Sequence, residues 1–245
     1  GEVVDISGGT LLPGLIDCHV HLVYCGEADP GAKVMKLKPD QIVIRTLAND
    51  QQSLSGGTTC LRDLGGRDFL EFAVRDACNS GEQFGPTIRA AGQIICMTGG
   101  HGNQHGRVAD GPDEVVKAVR EQVHAGSDVI KLMATGGVMT PGVNPEDAHY
   151  SENELRVGVE EGHRFHRTCA SHAQGSAGIL NAVRAGMDSI EHGIFMTDEC
   201  VELMLSKGTY LVPTLSALLN ILVNADQGIP YYVVEKTERI KDRHK

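Results

Sequence analysis

The sequence lacks three features that would assign it to common classes of protein. No stretch approaches the ~20 apolar residues that a membrane-spanning helix needs. The seven cysteines are scattered without a Cys-x-x-Cys pair, which argues against a disulfide framework and against a cysteine-based zinc finger. Basic residues are also scarce, with 22 Lys and Arg against 32 Asp and Glu. The net charge of −10 therefore argues against nucleic acid or an anionic membrane as the main partner.

The residues that are present fit a large globular domain. The 245 residues are 41% hydrophobic, which is enough for a core and excludes general disorder. Cysteines without a pattern are expected to be small buried side chains of a reducing compartment, so we expect a cytoplasmic protein. The start at Gly1 resembles the middle of a longer protein, so a targeting segment upstream stays open.

Seven short apolar runs alternate with helical segments along the sequence. The runs resemble parallel strands covered on both faces, and they span residues 11–20, 58–64, 87–96, 128–133, 168–172, 189–192 and 210–215. Helical periodicity is found at 115–125, 155–167, 176–185 and 197–206. This alternation favours an α/β fold, a (β/α)8 barrel domain over residues 1–245, with a doubly wound sheet as the alternative.

Two histidines close the first run, as His19-Val20-His21. Residues i and i+2 of a strand point to the same face, so both imidazoles can reach one metal ion. A lone pair of this kind is weak support for a metal site, because two solvated histidines would look the same. Its position at the end of an apolar strand favours the metal.

Lys131 lies inside the apolar run 128–133. A lysine in such a strand is almost never buried unless it is paired or modified. Three interpretations stay open: a buried ion pair, a Schiff-base lysine, and a carbamate formed with CO2 that would bridge two metal ions.

Two more histidines end later strands, His172 in CASHA (169–173) and His192 in SIEHG (189–193). Either one alone would be read as a hydrogen-bonded core histidine. Four histidines and a lysine near the ends of separate strands are hard to explain in that way, because a barrel collects such ends at one face. The combination therefore predicts a metal site.

These residues resemble the signature of the amidohydrolase superfamily of binuclear metal hydrolases. The segment LPGLIDCHVHL (12–22) is similar to its first-strand motif, Lys131 to its carboxylated strand-4 lysine, and His172 and His192 to its strand-5 and strand-6 histidines. Further segments resemble the branch of Xaa-Pro dipeptidases, arginine carboxypeptidases and imidazolonepropionase-like proteins; they are GTT (57–59), RDLGG (62–66), TGGHG (98–102), ATGGV (134–138) and VPTL (212–215).

The resemblance implies a metal-dependent hydrolase that cleaves an amide bond. His19 and His21 would hold one divalent ion and His172 and His192 a second, zinc being expected for both, with carboxylated Lys131 bridging them. The branch implies a dipeptide or N-acyl amino acid as the small-molecule substrate, recognised by its free carboxylate. His101 is the first candidate for binding it and Tyr150 a weaker one, since a tyrosine before a helix more often packs against it.

One part of the family pattern is not found. The superfamily has a metal-binding, proton-transferring aspartate at the end of strand 8, and no acid after His192 ends an apolar strand. The β-sandwich that accompanies the barrel is also missing. We therefore expect strands 1 to 7 of an incomplete barrel, five of six metal ligands, and no catalytic proton-transfer residue in this chain. Arg62 and Asp63 are expected to form an ion pair that supports the site.

Several alternatives stay open at this point. A class I aldolase-like lyase would use Lys131 as a Schiff base without metal. A non-catalytic barrel fragment would fit the incomplete pattern, and a cyclic-amide hydrolase or deaminase of the same superfamily would share most of the motifs. A homo-oligomer also stays open.

Overall fold

The computed structural model describes Gly1 and residues 3–244 as parallel strands alternating with helices. The strands are β1 (Leu15–Val20), β2 (Thr58–Asp63), β3 (Thr87–Ala90), β4 (Ile95–Cys96), β5 (Arg107–Val108), β6 (Val129–Met133), β7 (Thr168–Ala173), β8 (Ser189–His192) and β9 (Tyr210–Val212). The helices are α1 (Pro30–Lys36), α2 (Pro39–Ser55), α3 (Glu71–Ser80), α4 (Gly111–Ala125), α5 (Glu152–Arg164), α6 (Ser176–Arg184), α7 (Asp198–Lys207), α8 (Leu215–Val223) and α9 (Tyr231–Ile240). None of these described helices has the length and apolarity to cross a bilayer.

The strands form two parallel sheets. One has the order β1-β2-β3 and the other the order β5-β4-β6-β7-β8-β9. The backbone N–H of Asp128, just before β6, donates to the carbonyl of Ala90 at the end of β3 (2.8 Å), so the two sheets continue into one another. This confirms the predicted α/β class, and parallel pairing brings the carboxyl ends of all these strands to the same edge.

The core lies between the second sheet and helices α4 to α7. Ile130 and Leu132 of β6 and Ile190 of β8 are fully buried there, together with Leu155 of α5 and Ile179 of α6. Each of these strands is apolar on the face that meets the helices. The opposite face of the sheet, which does not meet these helices, can therefore carry polar side chains.

Two local predictions can be compared directly with the structure. The helix predicted over 155–167 begins three residues earlier, at Glu152, because Ser151 and Glu154 form a capping box: the Glu154 backbone N–H donates to the Ser151 hydroxyl oxygen (3.3 Å), and the Ser151 backbone N–H donates to the Glu154 carboxylate (2.9 Å). The single run predicted over 87–96 is wrong, because the chain leaves the sheet between β3 and β4. Gly92 has a φ of +79° there, and an added Cβ would lie 2.8 Å from the Phe69 ring, so the break needs glycine.

The two outermost strands are more exposed than the others. In β1, the side chains of Leu15 and Ile16 are 60% and 67% exposed, and Tyr210 of β9 is 75% exposed. Among the described residues, β1 pairs only with β2, and β9 only with β8. Soluble proteins rarely leave apolar side chains exposed on an unpaired edge strand.

Candidate metal centre

A cavity of about 710 Å³ opens at the carboxyl ends of the strands. The polar side chains that reach it include His19, His21, His101, Lys131, His172 and His192, which come from five elements or loops. All five residues predicted as metal ligands therefore line one cavity, although as many as 173 positions separate them in the sequence.

The imidazole rings lie next to one another. The centroid of the His19 ring lies 5.3 Å from that of His21 and 4.9 Å from that of His192. His192 lies 4.6 Å from His172, which in turn lies 4.4 Å from His101. The predicted ligands thus form a continuous group of rings at one end of the sheet.

Each of the four predicted ligand histidines uses one ring nitrogen for a hydrogen bond to a neighbour. The pairs are His19 Nδ1 with Glu191 Oε2 (2.8 Å), His21 Nδ1 with Gly65 O (2.9 Å), His172 Nε2 with Gly136 O (2.8 Å) and His192 Nδ1 with Thr214 Oγ1 (2.7 Å). The second nitrogen of each ring has no hydrogen-bond partner among the described residues. Metal-binding histidines show this arrangement, because the bonded N–H fixes the ring and leaves a lone pair on the other nitrogen.

The four rings are held neutral, which is the form that binds a metal ion. Burial is the largest cause: it lowers the pKa of His21 to about 4, with the positive charge of Lys131 adding to the shift. Burial likewise lowers the pKa values of His19, His172 and His192 well below the usual range.

Lys131 extends from β6 into the middle of this group and is 1% exposed. No described residue accepts a hydrogen bond from it or forms an ion pair with it. Burial lowers the pKa of its ammonium group to about 8, with Glu191 opposing the shift and Arg62 adding to it. A buried amine that loses its proton easily can react with CO2, so the residue is chemically suited to a carbamate.

The backbone is strained where β8 ends. His192 has a φ of +75°, in the left-handed region that residues with a Cβ rarely adopt, and Gly193 follows with +63°. Its hydrogen-bond partner Thr214 also has a positive φ, +49°. Strain of this kind concentrates at functional sites, where the surrounding structure holds a side chain in place.

Three supporting residues were assigned wrongly or missed in the sequence. Arg62 does not pair with Asp63, because successive residues of β2 point to opposite faces; its guanidinium pairs instead with Glu191 (2.8 Å). Asp63 accepts hydrogen bonds from the backbone N–H groups of Leu22 and Gly65 and so fixes the two segments that carry His21 and its partner carbonyl. Glu191 was missed, although an acidic residue inside an apolar strand is a signal that the sequence offers.

The two predicted substrate-binding residues lie in different environments. His101 lines the cavity, and its Nδ1 lies 2.8 Å from the Thr140 hydroxyl. Tyr150 does not line it: the ring is buried in the core, and its hydroxyl donates to the carbonyl of Ala109 (2.7 Å). The assignment of Tyr150 to substrate is corrected accordingly, because its one polar atom is used within the core.

A second group of metal-binding side chain types lies at the amino ends of the strands. His163, Cys169 and Asp188 place one donor atom each within 4.8 Å of the others. Asp188 accepts the backbone N–H of Cys169 (2.7 Å), just as Asp128 accepts that of Ala90 (3.0 Å) before β6. The repeated contact joins neighbouring strands, so we assign Asp188 a structural role.

Known proteins similar to this chain are found both by sequence and by structure. The amidohydrolase family profile matches residues 10–244. Ochratoxinase from Aspergillus niger is 33% identical over 262 aligned residues, which cover 96% of this chain and 54% of that protein. A solved Xaa-Pro dipeptidase with methionine bound in its active site has a TM-score of 0.86 at 33% identity, covering 95% of this chain and 61% of that one.

A solved prolidase complexed with N-methylphosphonate-L-proline has a TM-score of 0.88 at 31% identity, covering 99% of this chain and 65% of that one. The chain thus spans about half the length of the curated relative and less than two thirds of the solved ones.

Proposed function

Because the chain belongs to the amidohydrolase family, we propose that it binds two divalent metal ions, zinc first among them, and hydrolyses an amide bond. One observation carries the proposal. Four neutral imidazoles line one cavity around Lys131, and each has one nitrogen hydrogen-bonded to a neighbour and the other nitrogen without a partner. This is the donor set that two ions and a bridging carbamate need.

In this proposal His19 and His21 would hold one ion and His172 and His192 the other, and a carboxylated Lys131 would supply further oxygen ligands. Bound ions of this kind lower the pKa of water toward neutrality and polarise the scissile carbonyl. The protein's own part is to keep the four rings neutral and correctly oriented through buried partners, so that binding requires little rearrangement.

His101 is proposed to bind the substrate beside the metal ligands. Its ring lies 4.4 Å from that of His172, and Thr140 holds its Nδ1. Burial lowers the pKa of His101 to about 3, with His149 and Lys131 adding to the shift, so the ring binds as a neutral group. A neutral imidazole can donate one hydrogen bond to a substrate oxygen, which suits a carbonyl or a carboxylate.

The proposed substrates are dipeptides and N-acyl amino acids. Two relatives support this class through the ligands named with them, methionine in the Xaa-Pro dipeptidase and a phosphonate of proline in the prolidase. The cavity also offers an apolar wall, from Met133, Val138, Ile194 and Leu218, against which a side chain or acyl group can pack.

We further propose that β1, β2, β3, β6, β7, β8 and β9 are strands 1 to 7 of a (β/α)8 barrel. Support comes from their sequential order and from the exposed apolar side chains on β1 and β9, the two strands between which an eighth would fit. That strand and the metal-binding carboxylate at its end are proposed to lie outside residues 1–245.

The proposal is tested by metal analysis together with a substrate screen, both on a protein that also carries the proposed eighth strand and its carboxylate. We expect two zinc ions per chain after loading with zinc and bicarbonate, and metal-dependent hydrolysis of some dipeptides or N-acyl amino acids. Borohydride trapping of a carbonyl compound on Lys131, with no dependence on metal, would favour the lyase instead. Zinc bound without hydrolysis of any amide would favour the non-catalytic alternative.

A further inference from the structure

The carboxylate of Glu191 lies between a histidine and an arginine and is fully buried. Its Oε2 lies 2.8 Å from Nδ1 of His19. Its Oε1 accepts hydrogen bonds from Nη2 of Arg62 (2.8 Å) and from the hydroxyl of Ser189 (2.7 Å). Both oxygens therefore have partners, which a buried carboxylate requires if it is not to destabilise the fold.

Arg62 fixes this carboxylate and links its own strand to two others. Arg62 belongs to β2, and its Nε donates to the carbonyl of Cys18 in β1 (2.7 Å). Its Nη1 donates to the hydroxyl of Ser189 in β8 (3.1 Å), in addition to its ion pair with Glu191. Because Cys18 directly precedes His19, the same arginine positions both the backbone before the histidine and the carboxylate that contacts its ring.

The contact of His19 differs from those of the other three predicted ligands. His21 and His172 contact backbone carbonyls, and His192 contacts a hydroxyl group. Those partners are neutral, whereas His19 faces a carboxylate that is itself paired with Arg62. A carboxylate in such a pair only accepts hydrogen bonds, so it requires the proton of the neutral ring on Nδ1.

We propose that Glu191 is a positioning residue for His19: it holds the ring proton on Nδ1 and directs the lone pair of Nε2 into the metal site, while Arg62 holds Glu191 in place. The part of this inference that concerns metal binding rests on the proposed function. The part that concerns the tautomer of His19 does not, because it concerns the protein without metal.

Glu191→Gln gives a sharp test, since glutamine has the same shape. Arg62 can only donate, so the amide oxygen of the glutamine will face Arg62 and its NH2 group will face His19. The ring must then accept at Nδ1 and carry its proton on Nε2. We expect long-range 1H–15N spectra of metal-free protein at pH 8 to show Nδ1–H in the wild type and Nε2–H in the variant, the His19 signals being those that His19→Gln removes.

Zinc affinity, measured by competition with a chelator, gives the second readout. We expect Glu191→Gln to bind zinc roughly 10–100-fold more weakly, which is the usual effect of losing such a partner of a metal-binding histidine. Glu161→Gln is the matched control, because Glu161 is also buried and paired with arginines, Arg120 and Arg164, but lies on α5. It should bind zinc within about twofold of the wild type and leave the His19 tautomer unchanged.

An unchanged tautomer or an unchanged zinc affinity in folded Glu191→Gln overturns the proposal. If the glutamine variant does not fold, Glu191→Asp is the second test, because it keeps the negative charge for Arg62 but moves the carboxylate away from His19 by one methylene. We expect the aspartate variant to bind zinc several-fold more weakly than the wild type. Wild-type zinc affinity in this variant would contradict the proposal. A wild-type protein that binds no zinc contradicts the proposed function instead, and the tautomer measurement then still decides the role of Glu191.

Discussion

His192 and Thr214 contact each other through side chains that both project from left-handed backbone. Nδ1 of His192 lies 2.7 Å from Oγ1 of Thr214, and the two φ angles are +75° and +49°. Such conformations cost of order 1–3 kcal/mol each and persist only where other interactions maintain them. The pair joins the end of β8 to the segment after β9, so two neighbouring strands cooperate to orient one predicted metal ligand.

Replacing Thr214 by valine should weaken metal binding while the fold is retained. Valine has the shape of threonine but offers Nδ1 of His192 no hydrogen bond, so the ring loses its fixed orientation. We expect zinc to bind about tenfold more weakly, measured by chelator competition. Thr209→Val is the control, since the Thr209 hydroxyl bonds to the carbonyl of Met187 away from the cavity. Equal affinities of the two variants would contradict the role given to Thr214.

Both Lys131→Arg and Lys131→Ala should lose the pair of metal ions. Arginine keeps its proton at accessible pH and cannot form a carbamate, and alanine offers no ligand atom. Metal analysis should find fewer than two ions per chain in either variant, and a short carboxylic acid should partly restore binding to Lys131→Ala. Lys117→Arg, an exposed replacement on α4, serves as the control. Two tightly bound ions in Lys131→Arg would exclude the bridging carbamate.

Tyr150→Phe should affect stability and leave substrate binding unchanged. The variant leaves the buried carbonyl of Ala109 without the tyrosine hydroxyl, at a cost of ~1–3 kcal/mol in the free energy of unfolding. Urea denaturation measures this loss, and KM for any substrate found should not change. Tyr210→Phe, at an exposed position of β9, should change neither quantity. A raised KM with unchanged stability would return Tyr150 to the substrate site.

Glu71 should make the protein less stable as the pH rises. Both carboxylate oxygens are buried without a hydrogen-bond partner among the described residues. Burial raises the pKa of Glu71, and the nearby charge of Asp63 raises it further. A raised pKa means that the folded state binds the proton more tightly than the unfolded state. This stabilisation is complete below the ordinary glutamate pKa of about 4.3 and is lost as the pH rises through the raised value.

Glu71→Gln removes this titration and should therefore become progressively more stable, relative to the wild type, as the pH rises. Between the ordinary and the raised pKa the difference should grow by up to about 1.4 kcal/mol per pH unit. Urea denaturation of both proteins from pH 5 to pH 9 measures it, and Glu82→Gln provides a control at an exposed position. A difference that does not vary with pH would show that Glu71 is ionised in the folded protein throughout.

The strands and the predicted ligands could be read from the sequence because local patterns determine them. An apolar run followed by histidine and small residues identifies the ends of β7 and β8, and the Ser151–Glu154 spacing identifies the start of α5. Parallel strands end at one edge, so the convergence of His19, His172 and His192 follows from the fold class alone.

The supporting contacts could not be read in the same way, since they join distant parts of the chain. Glu191 and His19 are 172 positions apart, and nothing near either residue identifies the other. Arg62 and Asp63 are adjacent and oppositely charged, which favoured an ion pair, yet strand alternation turns them to different faces. Tyr150 was misassigned because its partner, the carbonyl of Ala109, has no signature in the sequence.

Anomalous diffraction at the zinc edge, from crystals grown with zinc and bicarbonate, would show directly whether the cavity holds two metal ions. We expect two zinc peaks in the cavity, one bound by Nε2 of both His19 and His21 and the other by Nδ1 of His172 and Nε2 of His192. Density for a carbamate on Lys131 should bridge them. A cavity without zinc, or an unmodified Lys131 amine beside bound ions, would contradict the proposed binuclear site.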